Sequence, residues 1–137
     1  MDTVQAFSPS ILGILLAALS SFIIGGLWYS PALFGKSWMK LNGFKEEDLK
    51  PQARIFISTF IIQLLGALCL AFFLGKSDLM FSAIVGLQVG LLWVAGGMGV
   101  TYLFERKPLK LWLINGGYHI ITFILMATII AAFQSAP

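Results

Sequence analysis

Four uninterrupted apolar blocks, at positions 11–28, 55–74, 79–104 and 111–133, contain no Asp, Glu, Lys or Arg. Each is close to the roughly 20 residues that a helix needs to cross a hydrocarbon core. A soluble bundle would alternate apolar stripes with charged faces, and no such alternation exists here. Hydrocarbon offers the backbone no hydrogen-bond partner, so the only spanning alternatives are helices and closed barrels. A barrel needs short segments of alternating polarity; "ILGILLAAL" and "ILMATIIAAF" lack it. With 58% apolar and 11% charged residues among 137, against about a quarter charged in soluble domains, the chain cannot coat a water-facing surface. The expected architecture is all-α: one integral membrane four-helix bundle over 1–137. Its spans are expected near 9–29, 54–74, 79–104 and 109–133, with short hairpin turns and an interfacial cytoplasmic segment at 31–50.

The net charge of +3 is distributed unevenly. Lys36, Lys40, Lys45, Lys50 and Arg54 fall between spans one and two, and Arg106, Lys107 and Lys110 between spans three and four; Lys76 stands alone on the other side. Basic residues in short loops mark the cytoplasmic side. Both termini and the turn at 75–78 are therefore expected outside the cytoplasm. The N-terminus carries Asp2 and no basic residue, so the first block reads as a retained span and not as a cleaved signal peptide. Cys69 is the single cysteine, which excludes an intramolecular disulfide and makes it a small core-packing residue.

Local signals refine the path. Ser8 and Pro9 suit the start of span one, and Pro31 closes it. Phe34, Trp38 and Leu41 recur at helical spacing beside Lys36 and Lys40, the pattern of a short helix lying in the interface; Asn42 and Gly43 end it. Ser77 is expected to cap span three, and Pro108 to open span four. Short turns predict that span two packs on three and three on four. Trp28, Tyr29, Trp38, Tyr102 and Trp112 all fall at the cytoplasmic boundary, where aromatic rings favour the headgroup level. Trp93 lies deep in span three.

Three glycine pairs, Gly25 with Gly26, Gly96 with Gly97 and Gly116 with Gly117, share a depth in the inner leaflet, which permits close helix packing or leaves a pocket. Polar side chains costly to expose to lipid are expected to face inward and pair with one another. The candidate ligand-binding residues are Trp28, Tyr29, Gln63, Gln88, Asn115, Tyr118 and His119. His119 is the one readily titratable side chain deep in a span, and Asn115 or a backbone carbonyl can satisfy it. No second histidine or cysteine pair accompanies it, so no metal site or cofactor is expected. No nucleophile, base and acid set or G-x-S-x-G pattern marks a catalytic site, and Glu105 has Arg106, Lys107 and Lys110 as ion-pair partners.

The segment "GGLWYSPALFGKSWMKLNG", from Gly25 to Gly43, resembles the signature of small bacterial membrane proteins grouped as domain of unknown function family 1761. The matching positions are Gly25, Trp28, Tyr29, Ser30, Pro31, Phe34, Gly35 and Trp38, and "NGGYH" from Asn115 to His119 resembles the start of that family's last span. The resemblance covers essentially the whole chain and implies a four-span protein of the bacterial inner membrane, without naming an activity. Three functional classes remain: binding or transport of a small molecule, a non-catalytic scaffold or accessory subunit, and a membrane enzyme using His119. Transport predicts polar stripes along a continuous path; a scaffold predicts sealed polar pairs and an exposed small-residue face; an enzyme predicts His119 beside Glu105 or a serine in a wet pocket. The expected partners are the lipid bilayer and a second copy or another membrane protein, with no nucleic acid.

Overall fold

The computed structural model describes residues 8–134, and among these it is helical without a strand. The first span is α1, Ile11–Trp28. A short helix α2, Gly35–Asn42, and a 3-10 turn, Glu46–Leu49, lead to the second span, α3, Ala53–Leu74. The third and fourth spans are α4, Leu79–Phe104, and α5, Leu109–Gln134. All four spans are long and apolar enough to cross a membrane. Asp2 and the two chain ends, placed outside by the charge pattern, lie outside the described residues.

The caps differ from expectation in register. Ser10, not Ser8, caps α1: its backbone is extended and its Oγ accepts the Gly13 N–H at 3.1 Å. Asp78, not Ser77, caps α4, with Oδ1 accepting from Phe81 N–H at 2.9 Å. A carboxylate complements the positive helix end better than a hydroxyl does. Ser77 instead turns back and donates to the Leu74 carbonyl, closing α3. At its far end α4 stops in a Schellman turn: Lys107 N–H donates to Tyr102 O at 2.9 Å and Arg106 N–H to Leu103 O at 3.2 Å. Arg106 takes the left-handed conformation there (φ 59°).

α5 is the hub of the bundle, packing on α1, α3 and α4. α4 seats directly on its backbone because Gly86 and Gly90 present no side chain. A Cβ at either would lie 2.8 Å from the Cα of Ile124 or Ile120. α3 packs on α1 and α5 but hardly on α4, so the hairpin expected between spans two and three is splayed despite its short turn. Exposed Phe73 of α3 stands in the space between these two spans, edge-on to Trp93 of α4. The resulting gap, of about 290 Å³, is bordered by Cys69, Phe73, Val89 and Trp93. Cys69 is exposed there and is not a core residue, and Trp93, 66% exposed, faces outward and meets Phe73 edge-on.

The buried apolar core lies toward the Gly75 to Asp78 turn. Ile14, Ala17, Ala67, Leu70, Ala71, Val85, Met126, Ala127 and Ile130 fill it, with alanines allowing close approach. Gln134 clasps this end, donating from Nε2 to Gly75 O at 2.7 Å and Ala71 O at 3.2 Å. α4 also contains a π-helical stretch, Val89–Ala95, which the hydropathy pattern does not reveal. Such wide turns shift the register of every residue beyond them.

Candidate functional site

The end of the bundle opposite the core is held by aromatic side chains. Trp28 of α1 reaches across to α5 and donates its Nε1–H to the Ile114 carbonyl at 2.8 Å. Its ring occupies the space that Gly117 leaves open, where a Cβ would come within 2.9 Å of Cζ2. Trp112 of α5 repeats the arrangement toward α4, donating to the Ala95 carbonyl, the last residue of the π stretch, at 2.7 Å. Gly99 leaves the room, since its Cβ would lie 3.0 Å from the indole nitrogen. Both carbonyls use lone pairs that lipid cannot satisfy.

A side-chain network joins the same helices. Tyr29 donates its hydroxyl to Asn115 Oδ1 at 2.7 Å, and Asn115 Nδ2 donates to the Tyr102 hydroxyl at 2.9 Å. Tyr118 donates to the Ser21 carbonyl at 3.1 Å, its ring packing against Gly25 and edge-on to Tyr29. Of the aromatics expected at the headgroup level, Trp28 and Trp112 spend their N–H groups on helix backbones.

The conspicuous segment after α1 is the joint that makes this possible. Phe34 N–H donates to Trp28 O and Gly35 N–H to Ser30 O, both at 3.0 Å, folding α2 back against the end of α1. Phe34 then packs on Trp28, Trp38 on Tyr29, and Phe44 on Trp38, with ring centroids 4.7, 5.4 and 5.3 Å apart. Gly35 is required at the fold, because a Cβ would collide with the Tyr29 carbonyl and lie 2.8 Å from Ser30 O.

Of the seven candidate residues, Trp28, Tyr29, Asn115 and Tyr118 come together in this cluster. Gln63 and Thr122 stand beside the Tyr118 phenol; Thr122 is 1% exposed, and its hydroxyl has no geometric hydrogen-bond partner among the described residues. His119 is half-buried, edge-on to Tyr118, and no hydrogen bond reaches its ring among the described residues. Asn115, the partner expected for it, is engaged by Tyr29 and Tyr102. Gln88 lies apart, exposed in the gap between α3 and α4 beside Phe73 and Trp93. Glu105 pairs with Lys107 at 3.0 Å, and Lys107 also covers the Tyr102 ring. Among the described residues no cluster of three His, Cys, Asp or Glu could hold a metal.

The hydroxyls expected to pair between helices mostly bond within them. Ser20, Ser21, Thr59 and Thr128 donate to carbonyls three or four residues earlier at 2.6 to 2.7 Å. This back-bonding satisfies a donor in lipid without any partner helix.

Beside the cluster a groove of about 300 Å³ opens between α1 and α3 onto α5. Gly25, Gly26, Ile55 and Phe56 form its apolar walls, and Tyr29, Thr59, Ser21 and Tyr118 bring polar atoms to it. The α3 wall was not foreseen, since Ile55 and Phe56 look like any lipid-facing pair. The role of Trp112 had a faint signal in the four-residue spacing to Gly116, which puts both on one face of α5.

Four apolar helices, of which three are fastened together at one end by tryptophans and tyrosines, define a small polytopic helical membrane protein. The sequence profile described as Protein of unknown function (DUF1761) matches residues 12–131, and the chain belongs to that family. No curated protein and no solved structure matches it.

If the Tyr29 to Asn115 bond fastens α1 to α5, Tyr29→Phe and Asn115→Ala are coupled. A double-mutant cycle on unfolding in mixed micelles is expected to give a coupling energy of about 0.6 kcal/mol, with an upper bound near 1.7 kcal/mol. Additive effects would show that the contact carries no stability.

Proposed function

We propose that this protein is a non-catalytic, multi-pass protein of the bacterial inner membrane that holds a small apolar or amphipathic molecule in the groove between α1, α3 and α5. The observation that carries this reading is the groove's composition: apolar walls with the Tyr29 and Tyr118 phenols at its base. Binding sites of this size combine a mostly apolar lining with a few placed polar groups. A permeation path has less support, because Trp28, Tyr29, Trp112 and Asn115 are engaged in helix-to-helix bonds and Ser20 and Ser21 in back-bonds to their own helix. Gly66 and Gly97, each with no neighbouring atom within 4 Å of a built Cβ, favour a second role. They give a partner helix or second copy a close approach, Gly66 at the α3/α4 gap.

The groove is tested with a diazirine-bearing C16 alkyl probe in nanodiscs, mapping adducts by peptide mass spectrometry. Labelling is expected to concentrate on Phe22, Ile55 and Phe56. Gly26→Leu, which fills the groove from an open position, is expected to lower it several-fold while leaving labelling of the outward face of α4 unchanged. Equal labelling of both faces, or no effect of Gly26→Leu, contradicts the reading.

The orientation follows from the basic residues around α2 and the turn at 105–108, which belong on the cytoplasmic side. A C-terminal alkaline phosphatase fusion is therefore expected to be active, and a fusion in the 105–108 turn inactive. The reverse pattern overturns the orientation.

A further inference from the structure

The groove has a neighbour. A second hollow, of about 190 Å³, lies at the start of α3, and Ile55 and Phe56 line both. These two side chains therefore border both the apolar groove and a recess whose lining also includes charged residues. The recess carries both signs of charge, because Asp48 and Lys50 both line it. Arg54 stands on the adjoining first turn of α3. That helix start has no side-chain cap and no acidic residue in its first turn, so its free N–H groups and positive dipole end add to Lys50 and Arg54. Asp48 gives one oxygen, Oδ2, to the Lys45 N–H at 2.9 Å. Glu46 and Glu47 precede it in the same exposed turn. Over positions 45–54 the charges of Lys45, Glu46, Glu47, Asp48, Lys50 and Arg54 cancel, and of these Asp48 and Lys50 line the recess. A purely anionic headgroup would meet the Asp48 carboxylate there, and a purely cationic one would meet Lys50.

Resting on the reading of the groove as a binding site, we infer that its ligand is a zwitterionic phospholipid with a primary ammonium. The acyl chain lies along Phe56 toward Tyr118, the phosphate faces Lys50, Arg54 and the start of α3, and the ammonium faces Asp48. The phosphate is a strong multi-acceptor suited to a helix start flanked by basic residues. A primary ammonium keeps N–H donors for a carboxylate, which a quaternary choline lacks.

The test is native mass spectrometry of the protein released from nanodiscs holding phosphatidylethanolamine and phosphatidylglycerol at equal fractions in a phosphatidylcholine background. Retained phosphatidylethanolamine is expected to exceed phosphatidylglycerol by about fivefold, which corresponds to roughly 1 kcal/mol for one exposed ion pair. Asp48→Asn, whose amide oxygen still accepts the Lys45 N–H, is expected to abolish that preference. Lys50→Gln combined with Arg54→Gln is expected to lower retention of all three phospholipids. Phosphatidylglycerol retained as well as phosphatidylethanolamine, or an undiminished preference in Asp48→Asn, overturns the headgroup assignment. In that case alkyl labelling that still responds to Gly26→Leu leaves the groove itself standing. Labelling that ignores Gly26→Leu removes both.

Discussion

Hydrocarbon supplies no hydrogen-bond partner, so an indole N–H or phenol buried in a span must find its acceptor in protein. This chain answers with α5. The Ile114 carbonyl and the Asn115 amide of α5 receive donors from α1, while Asn115 and Trp112 donate toward α4. α1 and α4 are thereby held to a common helix without needing to touch each other. The glycines are the other half of the device. Each indole crosses to its neighbour only because Gly117 or Gly99 leaves the space, and α4 seats on α5 only because Gly86 and Gly90 do. Glycine costs helix propensity, which close packing in lipid offsets.

α3 is held differently. Of the four spans it is the least embedded, 17% buried against 33% for α1 and α5. Its C-terminal half belongs to the apolar core, and Gln134 clasps its last carbonyls. Its N-terminal half has no such fastener, and Arg54 to Thr59 are exposed. The proposed binding groove opens along that half, and the gap toward α4 lies along the C-terminal half. A three-helix frame with one less deeply embedded neighbour is a physical basis for admitting a guest molecule between helices.

The number and extent of the spans were legible because hydropathy over 20 residues averages out local detail. The short helix after α1 was legible from local periodicity instead: Phe34, Trp38 and Leu41 recur at helical spacing, and Gly43 breaks it. Within the site, Trp28, Tyr29, Asn115 and Tyr118 were recognisable as polar or amphipathic groups near the membrane edge, but their partners were not. Nothing in one sequence says that Asn115 bonds Tyr29 and Tyr102 instead of His119, because that depends on helix rotation. Likewise a serine such as Ser21 reads the same whether it bonds a neighbour or its own Ala18 carbonyl. The choice of Ser10 over Ser8 and of Asp78 over Ser77 turned on shifts of one or two residues, below the resolution of capping preferences. The splay of α3 from α4 escaped because a short turn constrains where two helices begin and not how far they diverge.

The most direct measurement is hydrogen exchange at the indole nitrogens, read from the four tryptophan side-chain resonances of nitrogen-15-labelled protein in bicelles. Trp28 and Trp112 donate to helix carbonyls, whereas Trp38 makes no indole hydrogen bond among the described residues. The Trp28 and Trp112 signals are expected to persist in deuterated buffer long after that of Trp38 has gone. If Trp28 and Trp112 exchange as fast as Trp38, the indoles do not fasten α1 and α4 to α5, and the frame on which the groove depends is wrong.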